Sequence, residues 1–248
     1  MKRRRLVIAL IVLMAACVIL DFYTRLPATF DVAPLYLDPA THSVVLLFHG
    51  RLGENEPTLL ALDEKLRLLA RAQPDTSALL YVWAPYSDPR FRSQANGEHI
   101  GEALGAELAT LPKLESVHLI GQSSGAFLLD PICETYRKAG GRARIVITYL
   151  DPMGFRGGFD PWWGSRHYGA CADYAEAFIN TDDWAMGTNY VLRNAWNVDV
   201  TASAKPAGYA DGGHRWPMRY YLDQLSERDL LGEGFDQRER PRGAVVRR

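Results

Sequence analysis

Residues Val117–Gly125 read VHLIGQSSG, an apolar run that ends in a G-x-S-x-G frame around Ser123. This frame is typical of a nucleophile elbow, a tight strand-to-helix turn that holds a serine hydroxyl above the edge of a sheet. Such a turn needs small residues on both sides of the serine, and Gly121 and Gly125 supply them. The preceding LESVHLI is typical of a buried strand, and the following AFLLDPICETYRKAG of an amphipathic helix. The stretch therefore predicts Ser123 as a nucleophile.

Strand-like and helix-like segments alternate on both sides of this stretch. The strand-like segments are SVVLLFH, SALLYVWAP, RIVITYL, YAEAFIN and NVDVT, and the last helix-like one is RWPMRYYLDQL. The alternation predicts an α/β fold with a mostly parallel central sheet and helices on both faces. Together with the serine elbow, this arrangement is typical of the α/β-hydrolase type. A chain of 248 residues with 48% hydrophobic residues is large enough for one such catalytic domain. Active residues are then expected at the carboxyl ends of the strands.

The amino terminus predicts a membrane segment that precedes this domain. A basic cluster at positions 2–5 comes before an uncharged apolar run, Leu6 to Leu20, which Asp21 interrupts. By length and flanks the segment is a signal anchor, a cleaved signal peptide or, with Cys17, a lipoprotein signal, and these readings stay open. In the first two cases the basic cluster stays cytoplasmic, and the domain becomes membrane-anchored and extracytoplasmic, or secreted or periplasmic after cleavage.

These observations predict three regions along the chain. Residues 1–25 form the signal anchor or signal peptide, and residues 26–228 form the catalytic domain. Residues 229–248 end in RERPRGAVVRR and are predicted to be a charged, disordered tail.

Charge and cysteine content limit the classes of partner. The net charge is −1 with scattered basic residues, which argues against a nucleic-acid groove. No Cys/His spacing is typical of a metal site, and no cofactor is predicted. Cys133 and Cys171 are predicted either to form a disulfide in an oxidising compartment or to be a buried small residue and a free thiol.

A serine nucleophile needs a base and an acid that orients the base. His214 is the predicted base, because it lies in a Gly-containing loop after the last strand-like segment, whereas His167 precedes two strands and is expected at the surface or lining a pocket. Two acids compete. Asp151 follows RIVITYL directly, while Asp182 and Asp183 follow the next strand, where the fold commonly places its acid.

Four short motifs, in order along the chain, resemble the pancreatic-lipase group, which includes lipases and phospholipases A1. They are FHGRLGENEP, YLDPMG, YAEAFINTDDWAMGT and HRWPMRYYLDQL, and the resemblance extends from about His49 to Tyr221. It implies that Asp151 rather than the later pair is the acid.

The resemblance also implies a complete site: Ser123 as nucleophile, His214 as base, and the backbone N–H groups of Arg51 and Ser124 as the oxyanion hole. The expected activity is hydrolysis of carboxylic esters, small or lipid-like, through an acyl-enzyme. Two alternatives stay open: a membrane-anchored acyltransferase or thioesterase with the same residues, and a catalytically silent binding module. Trp162 and Trp163 are expected either to cap an acyl chain or simply to pack under a loop.

Overall fold

The structure is a computed structural model that describes residues 2–157, 160–182, 185, 187–204, 208, 213–231 and 238–248. Its helices are α1 (Lys2–Thr24), α2 (Pro57–Arg71), α3 (Ser93–Leu108), α4 (Ala126–Lys138), α5 (Trp163–His167), α6 (Thr201–Ala204), α7 (Trp216–Gln224) and α8 (Glu227–Leu230). Its strands are β1 (Ser43–Phe48), β2 (Thr76–Tyr81), β3 (Ser116–Gln122), β4 (Arg144–Leu150), β5 (Tyr174–Ile179), β6 (Trp196–Asp199) and β7 (Val245–Arg247).

The described strands form one sheet in the order β2-β1-β3-β4-β5-β6-β7, and every neighbouring pair is parallel. Strand β1 is buried along its whole length, as continuous apolar strands of parallel sheets are. The predicted fold class, an α/β sheet with helices on both faces, is confirmed. Because all strands run the same way, the loops that follow them meet at one edge, here called the carboxyl edge.

Two apolar cores cover the two faces of the sheet. One contains side chains of α3 and α4 packed on β1, β3 and β4. The other contains side chains of α2, α7 and α8 on the opposite face. Helix α4 is the one that follows Ser123, and its burial against the sheet holds the strand-to-helix turn in place.

Helix α1 is long and apolar enough to cross a membrane, over Arg4–Thr24 with a mean hydropathy of 2.7. None of its most apolar stretch is buried against the rest of the protein. A membrane anchor and a signal sequence both have these properties.

The prediction of a disordered tail is wrong for the described residues after position 228. The α8 residue Leu230 is fully buried, and its carbonyl oxygen lies 2.8 Å from His118 Nδ1. Strand β7 pairs in parallel with β6, and the Arg242 guanidinium donates to the carbonyl oxygens of Gly169 and Ala172. The charged composition of this segment predicted disorder, but Arg242 binds backbone carbonyl groups instead of remaining in water.

The two cysteines that lie outside α1 are bridged. Cys133 on α4 and Cys171 in the loop before β5 form a disulfide with a Cα–Cα distance of 6.1 Å. The bridge links the helix that follows Ser123 to the segment between α5 and β5. Of the two sequence-based readings, the disulfide is the one found.

Two buried carboxyl groups outside the predicted site have raised pKa values. Asp130 on α4 accepts hydrogen bonds from Tyr149 Oη at 2.5 Å and Gly169 N at 3.0 Å, yet desolvation raises its pKa to about 7. Burial likewise raises the pKa of Glu176 on β5 to about 7, although Arg240 lies 3.8 Å away. The folded protein therefore binds these two protons more tightly than the unfolded chain does.

We expect the contribution of Asp130 and Glu176 to the stability of the protein to fall as pH rises from about 4 to about 7. A carboxyl with a raised folded pKa stabilises the fold below its unfolded pKa, and that contribution is lost at up to about 1.4 kcal/mol per pH unit. Asp130→Asn keeps an acceptor for Gly169 N and cannot ionise, so its free energy of unfolding should depend less on pH. Urea denaturation of both proteins at several pH values measures this, and equal pH slopes would contradict the assignment.

Candidate active site

Ser123 lies on a strained turn at the carboxyl edge. Strand β3 ends at Gln122, and a single 3₁₀ turn, Ser123–Gly125, leads into α4. The φ angle of Ser123 is +52°, in the left-handed region that residues with a Cβ rarely adopt. A Cβ at Gly121 would lie 2.9 Å from the backbone of Gly125, and one at Gly125 would lie 2.5 Å from the Phe48 carbonyl oxygen. The turn therefore requires both glycines of the G-x-S-x-G frame.

Three predicted residues from distant parts of the chain form a hydrogen-bonded series. Ser123 Oγ lies 2.9 Å from His214 Nε2, and His214 Nδ1 lies 2.7 Å from Asp151 Oδ2. A carboxylate only accepts hydrogen bonds, so the ring proton of His214 is on Nδ1, which faces Asp151. Nε2 is then left to accept from the serine hydroxyl. The His214 side chain is 28% exposed, whereas that of Asp151 is fully buried. The imidazole thus reaches solvent at the edge where Ser123 lies.

Asp151 is held in place through its backbone and its second carboxylate oxygen. Its backbone N–H donates to Phe178 O at 2.8 Å, and Asn180 N donates to Asp151 Oδ1 at 3.0 Å. Its φ angle of +48° turns the chain sharply after β4. One carboxylate oxygen therefore accepts from the backbone directly after β5, and the other faces His214.

The competing acids do not occupy the same place. Asp182 is exposed, and its backbone N–H donates to Asn180 Oδ1 at 3.0 Å. Asp183 lies outside the described residues. Asn180 follows β5 directly, where the fold commonly carries its acid, and its backbone supports Asp151 there. Asn180 was not singled out from the sequence, because it binds Asp151 through its backbone N–H and not through its side chain.

The two predicted oxyanion donors lie on turns beside Ser123. Gly53 N donates to Gly50 O at 3.1 Å, and this hydrogen bond closes a turn that contains Arg51. The glycine at position 50 packs tightly here, since a Cβ on it would lie 2.9 Å from Ser123 Cβ. Ser124 directly follows Ser123 in the first helical turn, where backbone N–H groups have no intrahelical acceptor.

His49 organises the same turn, a role that the sequence analysis missed. Trp83 N donates to His49 Nε2 at 3.0 Å, which leaves Nδ1 to carry the proton and donate to Gly50 O at 2.7 Å. Burial lowers the pKa of His49, which favours the neutral ring. The ring thereby fixes the carbonyl oxygen that closes the Arg51 turn.

The remaining aromatic candidates lie outside this hydrogen-bonded series. His167 is exposed and stacks on Trp163 at 4.7 Å, as expected for a surface histidine. Trp163 also packs edge-on against buried Tyr168, whereas Trp162 is 51% exposed. Within the described residues no cluster of three or more His, Cys, Asp or Glu side chains could hold a metal ion.

Comparisons with known proteins give no family. No family model matches the sequence, and no curated protein does. Among solved structures the chain is similar to the RedJ thioesterase of the prodiginine biosynthetic pathway of Streptomyces coelicolor. The identity is 14%, the match covers 90% of this chain and 81% of that chain, and the TM-score is 0.31. An overlap this loose has no bearing on substrate or mechanism.

Proposed function

We propose that the protein is a serine hydrolase that cleaves carboxylic esters, with Ser123 as nucleophile, His214 as base and Asp151 as acid. The observation that carries the proposal is the unbroken hydrogen-bond series from Ser123 Oγ through both ring nitrogens of His214 to Asp151 Oδ2. A strained serine turn at the carboxyl edge supports it. The three residues lie 28 and 63 positions apart in the sequence and are joined by these two hydrogen bonds.

The first half of the reaction forms an acyl-enzyme. Ser123 Oγ attacks the carbonyl carbon while Nε2 of His214 takes the hydroxyl proton, and Asp151 stabilises the resulting imidazolium. The C–O bond to the leaving alcohol then breaks, and His214 returns the proton to the alcohol oxygen. The second half repeats these steps with water as the nucleophile and releases the carboxylic acid and free Ser123.

The backbone N–H groups of Arg51 and Ser124 are our candidates for binding the carbonyl oxygen as it becomes negative. The loss of one such donor typically costs about 3–4 kcal/mol of transition-state stabilisation. His49 then acts indirectly, because it fixes the Gly50 carbonyl and with it the turn that presents Arg51 N–H. The resemblance to the pancreatic-lipase group supports the same assignment.

The amino-terminal helix supports a proposal for the substrate class. A domain tethered by α1 works next to lipid, so we propose a lipid-like ester as substrate. We further propose that the catalytic domain is extracytoplasmic, since a basic cluster before an apolar helix stays on the cytoplasmic side. The Cys133–Cys171 bridge supports this placement, because disulfides persist in oxidising compartments.

The acyl acceptor decides between a hydrolase and an acyltransferase. We expect a panel of p-nitrophenyl esters to be hydrolysed, with the free acid as the main product even when a primary alcohol is added at moderate concentration. Product analysis by chromatography measures the ratio of acid to new ester. A predominance of transesterified product would favour the acyltransferase, and no turnover of any ester would favour a silent binding module.

A further inference from the structure

The loops that surround Ser123 are joined to one another at the carboxyl edge. Leu52 N, in the loop after β1, donates to Asp88 Oδ1, in the loop after β2, at 3.3 Å. Gly157 N, in the loop after β4, donates to Gln94 Oε1 at the start of α3 at 3.1 Å. The loops after these strands and the start of α3 therefore form one surface around the mouth of the site.

The end of α1 is fastened to this same surface. Arg92, directly before α3, donates from Nε to Leu26 O at 2.8 Å, and its guanidinium lies 5.0 Å from the Tyr23 ring centroid. Ala28 N donates to Asn96 Oδ1 at 2.7 Å. Thr24, the last residue of α1, is only 3% exposed. The point where the apolar helix leaves the domain is thus fixed by hydrogen bonds.

The loop after Asp151 also contacts this helix end. Gly157 packs so closely on α1 that a Cβ there would lie 2.4 Å from Asp21 Oδ1. Asp21 itself pairs with Arg25 Nε at 2.9 Å, which offsets the charge next to the apolar segment. Any membrane that holds α1 therefore begins beside the segment that carries the acid.

The length of the apolar segment brings this surface toward the bilayer. Leu6 to Leu20 extends about 22 Å as a helix, which is shorter than a hydrocarbon core of about 30 Å. A short segment is accommodated by local thinning and by flanking residues that move to the interface. Phe22 and Tyr23 follow the segment, are exposed and suit that interface.

Large apolar side chains on the mouth loops are exposed to solvent. Leu52 is 63% exposed, Val82 52%, Phe91 59% and Trp162 51%. They lie on the three loops that follow β1, β2 and β4, on the edge where α1 is fastened. Among the described residues on this edge, the end of α1 is the element that indicates what the apolar partner is, because α1 is apolar enough to enter a membrane.

We propose that the carboxyl edge rests on the leaflet that α1 enters, with Phe91 and its apolar neighbours in the lipid interface, so that esters reach Ser123 directly from that leaflet. The partner is the bilayer surface itself. The substrate route rests on the proposed ester hydrolysis, whereas the orientation of the domain does not.

A fluorescent label at position 91 tests the orientation. The full chain with Cys17→Ser and Phe91→Cys is labelled with an environment-sensitive dye and reconstituted in phosphatidylcholine vesicles that contain doxyl lipids. The matched control is Leu68→Cys, because Leu68 is an equally exposed apolar residue near the far end of α2. We expect a blue shift and quenching at position 91 and neither at position 68. Absence of quenching at 91, or equal quenching at both sites, would overturn the proposal.

The substrate route is tested with two esters. Phe91→Glu should leave kcat/KM for a soluble short-chain ester unchanged and raise KM for a long-chain ester in the vesicles by about tenfold, the loss expected when one apolar side chain leaves the interface. Leu68→Glu should change neither. Equal effects of Phe91→Glu on both esters, or none, would refute the route. If no ester were hydrolysed, the proposed function would fail while the labelling result still decided the orientation.

Discussion

Ser123→Ala is expected to lower kcat for ester hydrolysis by about 10⁶-fold, because a hydroxyl that acts together with its base and acid contributes as a unit. The substitution removes one oxygen atom and leaves the strained turn with the same Cβ, so the protein should stay folded. Initial rates with a p-nitrophenyl ester, together with a melting temperature, separate lost chemistry from lost structure.

Ser124→Ala is the matched control for this prediction. Ser124 Oγ is buried and makes no hydrogen bond to any residue that the structure describes, so its removal leaves none of them unsatisfied. The backbone N–H assigned to the oxyanion hole remains. We expect the kcat of this variant to stay within a few-fold of wild type, and comparable losses at positions 123 and 124 would argue against Ser123 as nucleophile.

Asp151→Asn is expected to lower kcat by about 10⁴-fold with little change in melting temperature. An amide that donates to Nδ1 stabilises the wrong tautomer, in which Nε2 carries the proton and cannot accept from Ser123. Asparagine tolerates the positive φ angle at this position, and its oxygen can still accept from Asn180 N. The kinetics at a fixed pH and the melting curve are both needed.

Asp182→Asn is the control for the acid. Asp182 is exposed, and its backbone N–H bonds to Asn180 rather than to the His214 loop, so its kcat should be close to wild type. If Asp151→Asn lowered the melting temperature without a selective fall in kcat, Asp151 would be a turn-forming residue. A selective loss of kcat in Asp182→Asn would instead place the acid in the loop after β5.

The elbow was predictable because its cause is local. Gly121 and Gly125 are needed within five residues of sequence, and the buried strand and amphipathic helix on either side show their own periodicity. The loop position of His214 then made it the expected base. The YLDPMG motif after β4 limited the choice of acid to a few residues.

Contacts made across the sheet were not predictable in the same way. Asn180 acts through its backbone N–H, which no side-chain pattern reveals, and the role of His49 depends on Trp83, 34 residues later. The order of the carboxyl-terminal segment was not predicted, because Arg242 binds carbonyl groups of the folded domain. Such pairings exist only once the tertiary structure brings the groups together.

A fluorophosphonate reacts with an activated serine, and locating its adduct by peptide mass spectrometry tests the central assignment most directly. We expect one adduct, on Ser123, that is absent from Ser123→Ala and strongly reduced in His214→Ala. An adduct on Ser124 or another residue, or no adduct on a folded protein that hydrolyses esters, would contradict it.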